Sequence, residues 1–290
     1  MTPDQPTSLA LAPSYTAIDL VKQSWAVLRS QPWPIVRATL RAVFLPLLPM
    51  LLLHPLAFGI VALGGMLAER EAGAPPPAPP LWAVVGSTTT FVFEIVAMCA
   101  LAIYAYGGLF RVLLMAVRGE AIDRGRQALD SQQIGAIFGV FFRWALRLVP
   151  VFVAGGLLAV PGALMMQGDD KTIGTVVMVV GSVVFALGYT AFGAYLAYRV
   201  LGEATALLIA VEEGLGGAEA LAEAWRRADG HKLNFFVAYL VTAYGGGTLV
   251  AIVHVATCGL GFPLVIAGQL VIVAMTMIQI AMLYELQSRR

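Results

Sequence analysis

Charged residues are scarce in this 290-residue chain: Asp, Glu, Lys and Arg together make up 12% of it, where a soluble domain carries roughly 25%. Apolar residues make up 59%. A water-soluble protein this short of charge could not cover its own surface, which excludes a disordered chain and a nucleic-acid binder. The net charge of +1 gives no electrostatic bias toward any partner. Cysteine is nearly absent, with Cys99 inside an apolar run and Cys258 in a tight turn. Two cysteines make no secreted disulfide scaffold, and no CxxC or Cys/His spacing marks a metal site. Both read as small buried hydrophobes. Lysine is rare too, with 3 residues against 15 arginines. With abundant Ala and Gly, that usage fits a GC-rich bacterial genome. The first 14 residues, MTPDQPTSLALAPS, lack the basic n-region and long apolar stretch of a cleavable signal peptide, so the N-terminus is expected to stay on the mature chain.

What is present is a series of long apolar runs. About 20 apolar residues cross a hydrocarbon core of roughly 30 Å, and six stretches qualify. They cover about 42–68, 81–110, 148–166, 172–198, 233–257 and 263–286. The second stays apolar to Val117, about 55 Å as one helix, so it should project past the bilayer or tilt. Glu69, Arg70 and Glu71 followed by AGAPPPAPP form a proline-rich break. Gly168 suits the cap of the third helix, Asp169 and Asp170 that of the fourth, and Pro263 the first turn of the sixth. The runs do not alternate as barrel strands do. The expected fold is therefore all-α: one polytopic membrane domain, 1–290, with six transmembrane helices.

Basic residues set the orientation. Lys22, Arg29, Arg37 and Arg41 precede span one. Arg111, Arg118, Arg124, Arg126, Arg143 and Arg147 lie between spans two and three. Arg199, Arg226, Arg227 and Lys232 lie between four and five, and Arg289 and Arg290 end the chain. The opposite loops hold only Arg70 and Lys171. The positive-inside rule then puts both termini in the cytoplasm, in a bacterial inner membrane, with only short loops on the far side.

Each odd-numbered span is preceded by a segment of helical character, giving cytoplasmic interfacial helices before spans 1, 3 and 5. Residues 16–30 place Ile18, Val21, Trp25 and Leu28 on one stripe, and 218–229 place Ala218, Leu221, Trp225 and Ala228 at the same spacing. Thr16 and Asp19 suit a capping box, and Gly230 a helix end. The middle segment, Glu120 to Asp130, is poorer: Ile122 and Leu129 with Gly125 between. A Trp-anchored stripe with a basic polar face lies flat in the interface, which makes Trp25 and Trp225 interfacial anchors. The alternative is a pair of loop helices packed on the bundle.

The stretch Ala220-Leu-Ala-Glu-Ala-Trp-Arg-Arg-Ala-Asp-Gly-His-Lys232, entering a span at once, resembles a known signature. So do Ala210-Val-Glu-Glu-Gly-Leu-Gly-Gly217 upstream and Ser24-Trp25 before span one. The chain is similar to bacterial six-helix membrane proteins related to the membrane domain of glycerophosphodiester phosphodiesterases. In relatives that carry the enzyme, the phosphodiesterase is a separate soluble barrel, for which this chain has no room. The resemblance implies a membrane architecture and no catalytic residues.

Ionisable residues inside a span are costly and are functional candidates by default. His54 and Glu94 fall at similar depth on either side of the proline-rich loop, near mid-membrane on antiparallel helices, and form a candidate buried polar pair. A lone protonated Glu94 bonded to Thr90 or to its own backbone is the alternative. Arg143 and Arg147, one turn apart, are candidate lipid-headgroup contacts or plain snorkelling cations. His254 reads as interfacial, Gln269 and Gln279 as helix–helix hydrogen-bonding groups, and Glu203, Glu212 and Glu213 as solvated. The glycine pairs at 64–65, 107–108, 155–156 and the triplet at 245–247 read as close packing or as helix breaks. Pro46, Pro49 and Pro55 should kink span one. No HExxH, GxSxG or acidic dyad supplies a reaction centre. The leading expectation is a non-enzymatic membrane protein, without metal or cofactor, that organises lipids or a partner membrane complex. The alternative is a small-molecule or lipid transporter using the polar residues of spans one and two.

Overall fold

The computed structural model describes residues 15–67, 80–122, 129–165, 195, 198–257 and 261–289, and those residues contain helices and no strand. The sequence folds as the apolar periodicity requires: α1 is Ala17–Ser30, α2 Pro32–Phe44, α3 Leu48–Leu67, α4 Leu81–Arg118 and α5 Ser131–Met165. These are followed by α6 Ala206–Glu212, α7 Gly217–Arg227, α8 Lys232–Leu240, α9 Gly246–Ala256 and α10 Phe262–Ser288. Four helical stretches are long and apolar enough to cross a membrane: Pro32–Gly64, Leu81–Arg118, Lys232–Ala256 and Phe262–Ser288. The predicted third span lies in the second half of α5. Most of the predicted fourth span, the proline-rich loop, Cys258 and most of the 120–130 segment lie outside the described residues.

The chain divides into two compact units. The first comprises Lys22–Asp130 and Thr242–Ile278. In it α3 and α4 pack as an antiparallel hairpin, and α2 packs on α4. Small residues set the hairpin's spacing. A Cβ on Gly64 would come within 2.5 Å of Ala83, and one on Gly86 within 3.4 Å of Ile60. The outward faces are apolar, with Leu51, Leu52, Phe58 and Met66 of α3 and Leu81, Phe93 and Val96 of α4 all exposed. A helix apolar on its outside is stable in lipid, not in water. Cys99 lies on such a face, exposed and not buried as expected. Around Pro46 the chain tightens into a 3-10 turn, Leu45–Leu47, whereas Pro55 sits inside α3 without ending it. The later hairpin repeats the scheme: a Cβ on Gly246 would meet Ile272 at 2.8 Å, and one on Gly268 would meet Val250 at 2.5 Å. Between α8 and α9 the five residues Val241–Gly245 form a π turn. At its C-terminal end α4 stops in a Schellman motif, with Gly119 at φ 72° and the Glu120 N–H donating to Met115 O at 2.8 Å.

The second unit comprises Leu11–Val21, Ser131–Val241 and Gln279–Arg290. Its centre is α6, whose residues Ala206 to Val211 are all buried. A short helix apolar on every side belongs in a core, and α5 and α7 both pack on it. The Gln133 amide donates to Val211 O at 2.7 Å, tying α5 to the end of α6. α5 and α7 approach closely because Gly139 and Gly217 face each other: a Cβ on Gly217 would overlap the Gly139 backbone.

The amphipathic helices show their stripes differently from the expectation. α1 begins in the predicted capping box, with Thr16 N–H donating to Asp19 Oδ2 at 3.0 Å and Asp19 N–H to Thr16 Oγ1 at 3.2 Å. Its buried face, however, is Ala17, Leu20, Ser24, Val27 and Leu28. Ile18 and Trp25, half of the predicted stripe, point outward. In α7 the buried set is Gly217, Ala220, Leu221 and Ala224, and Ala218 is exposed. Small residues, Ala17 and Ser24 on α1 and Gly217, Ala220 and Ala224 on α7, share these buried faces with Leu20, Val27, Leu28 and Leu221 and allow close helix contact.

Candidate functional site

The first unit holds the pair of ionisable residues set against the apolar hairpin. Gly64 opposite Ala83 and Gly86 opposite Ile60 fix the register of α3 against α4. Continued along the two antiparallel helices, that register brings His54 level with Glu94. The side chains meet, with His54 Nδ1 3.3 Å from Glu94 Oε2. The Glu94 side chain is 4% exposed and that of His54 37%. Phe58 lies edge-on to the imidazole at 4.9 Å between centroids, with Phe91 at 6.3 Å. Thr90, the alternative partner for the carboxyl, donates its hydroxyl to Gly86 O at 2.9 Å on its own helix.

The second unit gathers a denser polar cluster around a residue expected to be solvated. Glu203 is 1% exposed, in the turn between helical residues 198–202 and α6. The correction follows from its partners. Trp144 Nε1 donates to Glu203 Oε2 at 3.1 Å, Arg147 pairs with the same oxygen, and Arg199 Nη2 lies 3.1 Å from Oε1. A buried carboxylate is tolerated when charge and hydrogen bonds both meet it. Arg147, one of the two residues suggested to touch lipid headgroups, is thus tied to protein. Arg143, the other, is exposed and donates to its own helix, at Gly139 O, 3.1 Å.

Trp225 sits beside this cluster. Arg199 lies over its ring at 4.1 Å from the centroid and Lys232 at 3.7 Å, while Tyr198 meets it edge-on at 5.7 Å. Gly202 leaves room for the indole, since a Cβ there would overlap the ring. Trp225 is therefore a packed cation–π centre on this unit. Trp25, by contrast, is exposed. Sequence spacing matched the two, but their surroundings differ.

At the far end of α7 the charges are paired at the surface. Arg227 binds Glu213 through both terminal nitrogens, at 2.6 and 2.8 Å, and donates Nε to Glu223 at 2.6 Å. Tyr284 donates its hydroxyl to Glu213 at 3.2 Å, so Glu213 also is more than a solvated group. Hydrogen bonds from Arg226 and then Arg227 pull the Glu223 carboxyl down to about 2, and those from Glu213 and Glu223 raise the Arg227 guanidinium. Among the described residues no group of three His, Cys, Asp or Glu side chains is placed to hold a metal. Reasoning from sequence missed the Glu203 cluster because its members are spread over 144, 147, 199 and 203, and only the i,i+4 pair Arg199–Glu203 was visible as a spacing. No family model, no curated protein and no solved structure matches the chain.

Proposed function

We propose that the protein is a non-enzymatic, six-span protein of the bacterial inner membrane, with both termini cytoplasmic, that organises anionic lipids or a partner membrane complex. In this reading it shares its architecture with the membrane part of glycerophosphodiester phosphodiesterases, and α1, α2 and α7 lie at the cytoplasmic interface. One observation carries it. The outward side of α1 and α2 is aromatic and basic together: Ile18 is 61% exposed, Trp25 45% and Trp33 70%. Lys22, Arg29, Arg37 and Arg41 are exposed beside them, and among the described residues none of the four has a carboxylate partner. Elsewhere on the chain Arg147, Arg199, Arg226, Arg227 and Lys232 are all paired. Free cations beside exposed tryptophans suit a surface of phosphate headgroups over acyl chains, at about 1 kcal/mol per basic residue.

The test is what stays with the protein through purification in mild detergent. Lipid analysis should find anionic phospholipid enriched over the membrane average, with or without a stoichiometric protein partner. Retention of a defined water-soluble solute, with no lipid enrichment, would favour transport instead. That second reading is supported by the His54–Glu94 contact at 3.3 Å within an otherwise apolar hairpin.

A further inference from the structure

We infer that a groove between α2 and α4 is a binding site for the phosphodiester headgroup of one anionic phospholipid, an inference that rests on the lipid reading above and gives it a place. The groove has a volume of about 530 Å³. Arg37 and Arg41, one helical turn apart, stand on one wall, with Trp33 at one end and Tyr104 opposite on α4. Its floor is made of small residues, Ala38, Ala105 and Gly108. Among the described residues, none that lines the groove carries a carboxylate to pair with the two guanidinium groups. Two arginines at i and i+4 can each fork onto one phosphate, and a tyrosine hydroxyl can donate a further hydrogen bond.

Depth identifies the ligand as a lipid and not a free anion. Arg41 is the last charged residue on its chain segment before the run 42–67, which holds no Asp, Glu, Lys or Arg. Tyr104 lies 23 residues along α4 from Leu81, about 35 Å at 1.5 Å per residue, which places it just past the end of a hydrocarbon core of roughly 30 Å. Both walls thus put the cations level with headgroups. Toward the membrane centre Phe44 at the end of α2, Leu47 and Leu48 just beyond it, and Phe93 and Val96 of α4 are exposed, a surface for acyl chains. The site is built from the protein's own packing: α2 packs on α4, and Ile35 and Thr39 of α2 and Leu109 of α4 are buried.

The experiment uses the full chain in nanodiscs of phosphatidylcholine, with and without phosphatidylglycerol, read by native mass spectrometry of lipid that survives delipidation and by the thermal midpoint. The unaltered protein should keep one phosphatidylglycerol and melt higher when that lipid is present. Arg37→Gln with Arg41→Gln should weaken retention by about tenfold per arginine, the scale of one charge-assisted hydrogen bond. Arg226→Gln with Arg289→Gln removes the same charge at exposed positions outside both the groove and the basic face of α1 and α2, and should leave retention unchanged. Equal loss in both double variants would overturn the site while leaving the general lipid reading standing. Stabilisation by inorganic phosphate equal to that by phosphatidylglycerol would overturn the lipid assignment. No preference for phosphatidylglycerol in the unaltered protein would overturn the broader reading itself. Because all four residues are exposed, both double variants are expected to fold, and a parental midpoint in phosphatidylcholine alone checks this.

Discussion

Replacing Glu203 with Ala removes the one carboxylate that Arg147, Arg199 and Trp144 share. Breaking a buried ion pair from one side costs about 3–5 kcal/mol, because the partner charge is left uncompensated. Here the partners are the less buried side: Arg147 and Arg199 side chains are each about 30% exposed. They regain some water when the carboxylate goes, so the expected loss is nearer 2–3 kcal/mol. At roughly 2–4 °C per kcal/mol for a unit of this size, the melting midpoint in detergent should fall by about 5–10 °C. Glu203→Gln keeps the shape and an acceptor for the Trp144 indole N–H, so it should lose about half as much. The loosened Arg199 should also weaken its stacking on Trp225, visible as a shift in tryptophan emission. A Glu203→Ala protein melting within about 2 °C of the parent would refute the reasoning, since no buried charge pair of this kind is that weak when broken.

Three other outcomes follow from the geometry. The His54→Ala, Glu94→Gln and double variants should show a coupling of about 0.5–1 kcal/mol in stability, at the low end for contacting residues because the contact is 3.3 Å and half open; strict additivity would separate the two residues. Gly217→Val should destabilise by about 2 kcal/mol or more, because its Cβ overlaps the Gly139 backbone and not a movable side chain; a neutral melt would show that α5 and α7 are not held this close. Glu223, held at about 2 against an ordinary 4.5, contributes stability above the higher value that is lost as pH falls toward the lower one. For a surface cluster the contribution is at most about 1 kcal/mol, and Glu223→Gln should abolish that part of the acid sensitivity in a pH-resolved melt.

Some of this structure could be read directly from residues, and some could not, for physical reasons. Run length and absence of charge announced the apolar helices, since nothing else in a chain fixes 20 uninterrupted apolar residues. Capping chemistry was local and so legible: Thr16 with Asp19, and Gly230 at positive φ. The level meeting of His54 and Glu94 came from counting outward from a hairpin loop, which works for antiparallel neighbours. The stripe on α1 misled in half of its positions, because hydrophobicity alone does not say which way a face turns: Ile18 and Trp25 point outward while Leu20 and Ser24 are buried. On α7 Leu221 and Ala228 are buried, Trp225 is packed against Arg199 and Tyr198, and Ala218 is exposed. The Glu203 cluster was hidden because its arginines looked like topology signals and its acid like a loop residue. Two of its contacts join positions 56 and 59 apart in the chain, and no local pattern encodes them.

Sidedness is the claim on which the rest depends, because the free arginines of α2 can meet an anionic leaflet only if they lie on the cytoplasmic side. A reporter active only in the cytoplasm, fused in separate proteins after Arg290 and after Pro77, tests it directly. The account predicts signal from the first fusion and none from the second, at matched expression. A silent but expressed fusion after Arg290, or a bright one after Pro77, would contradict it.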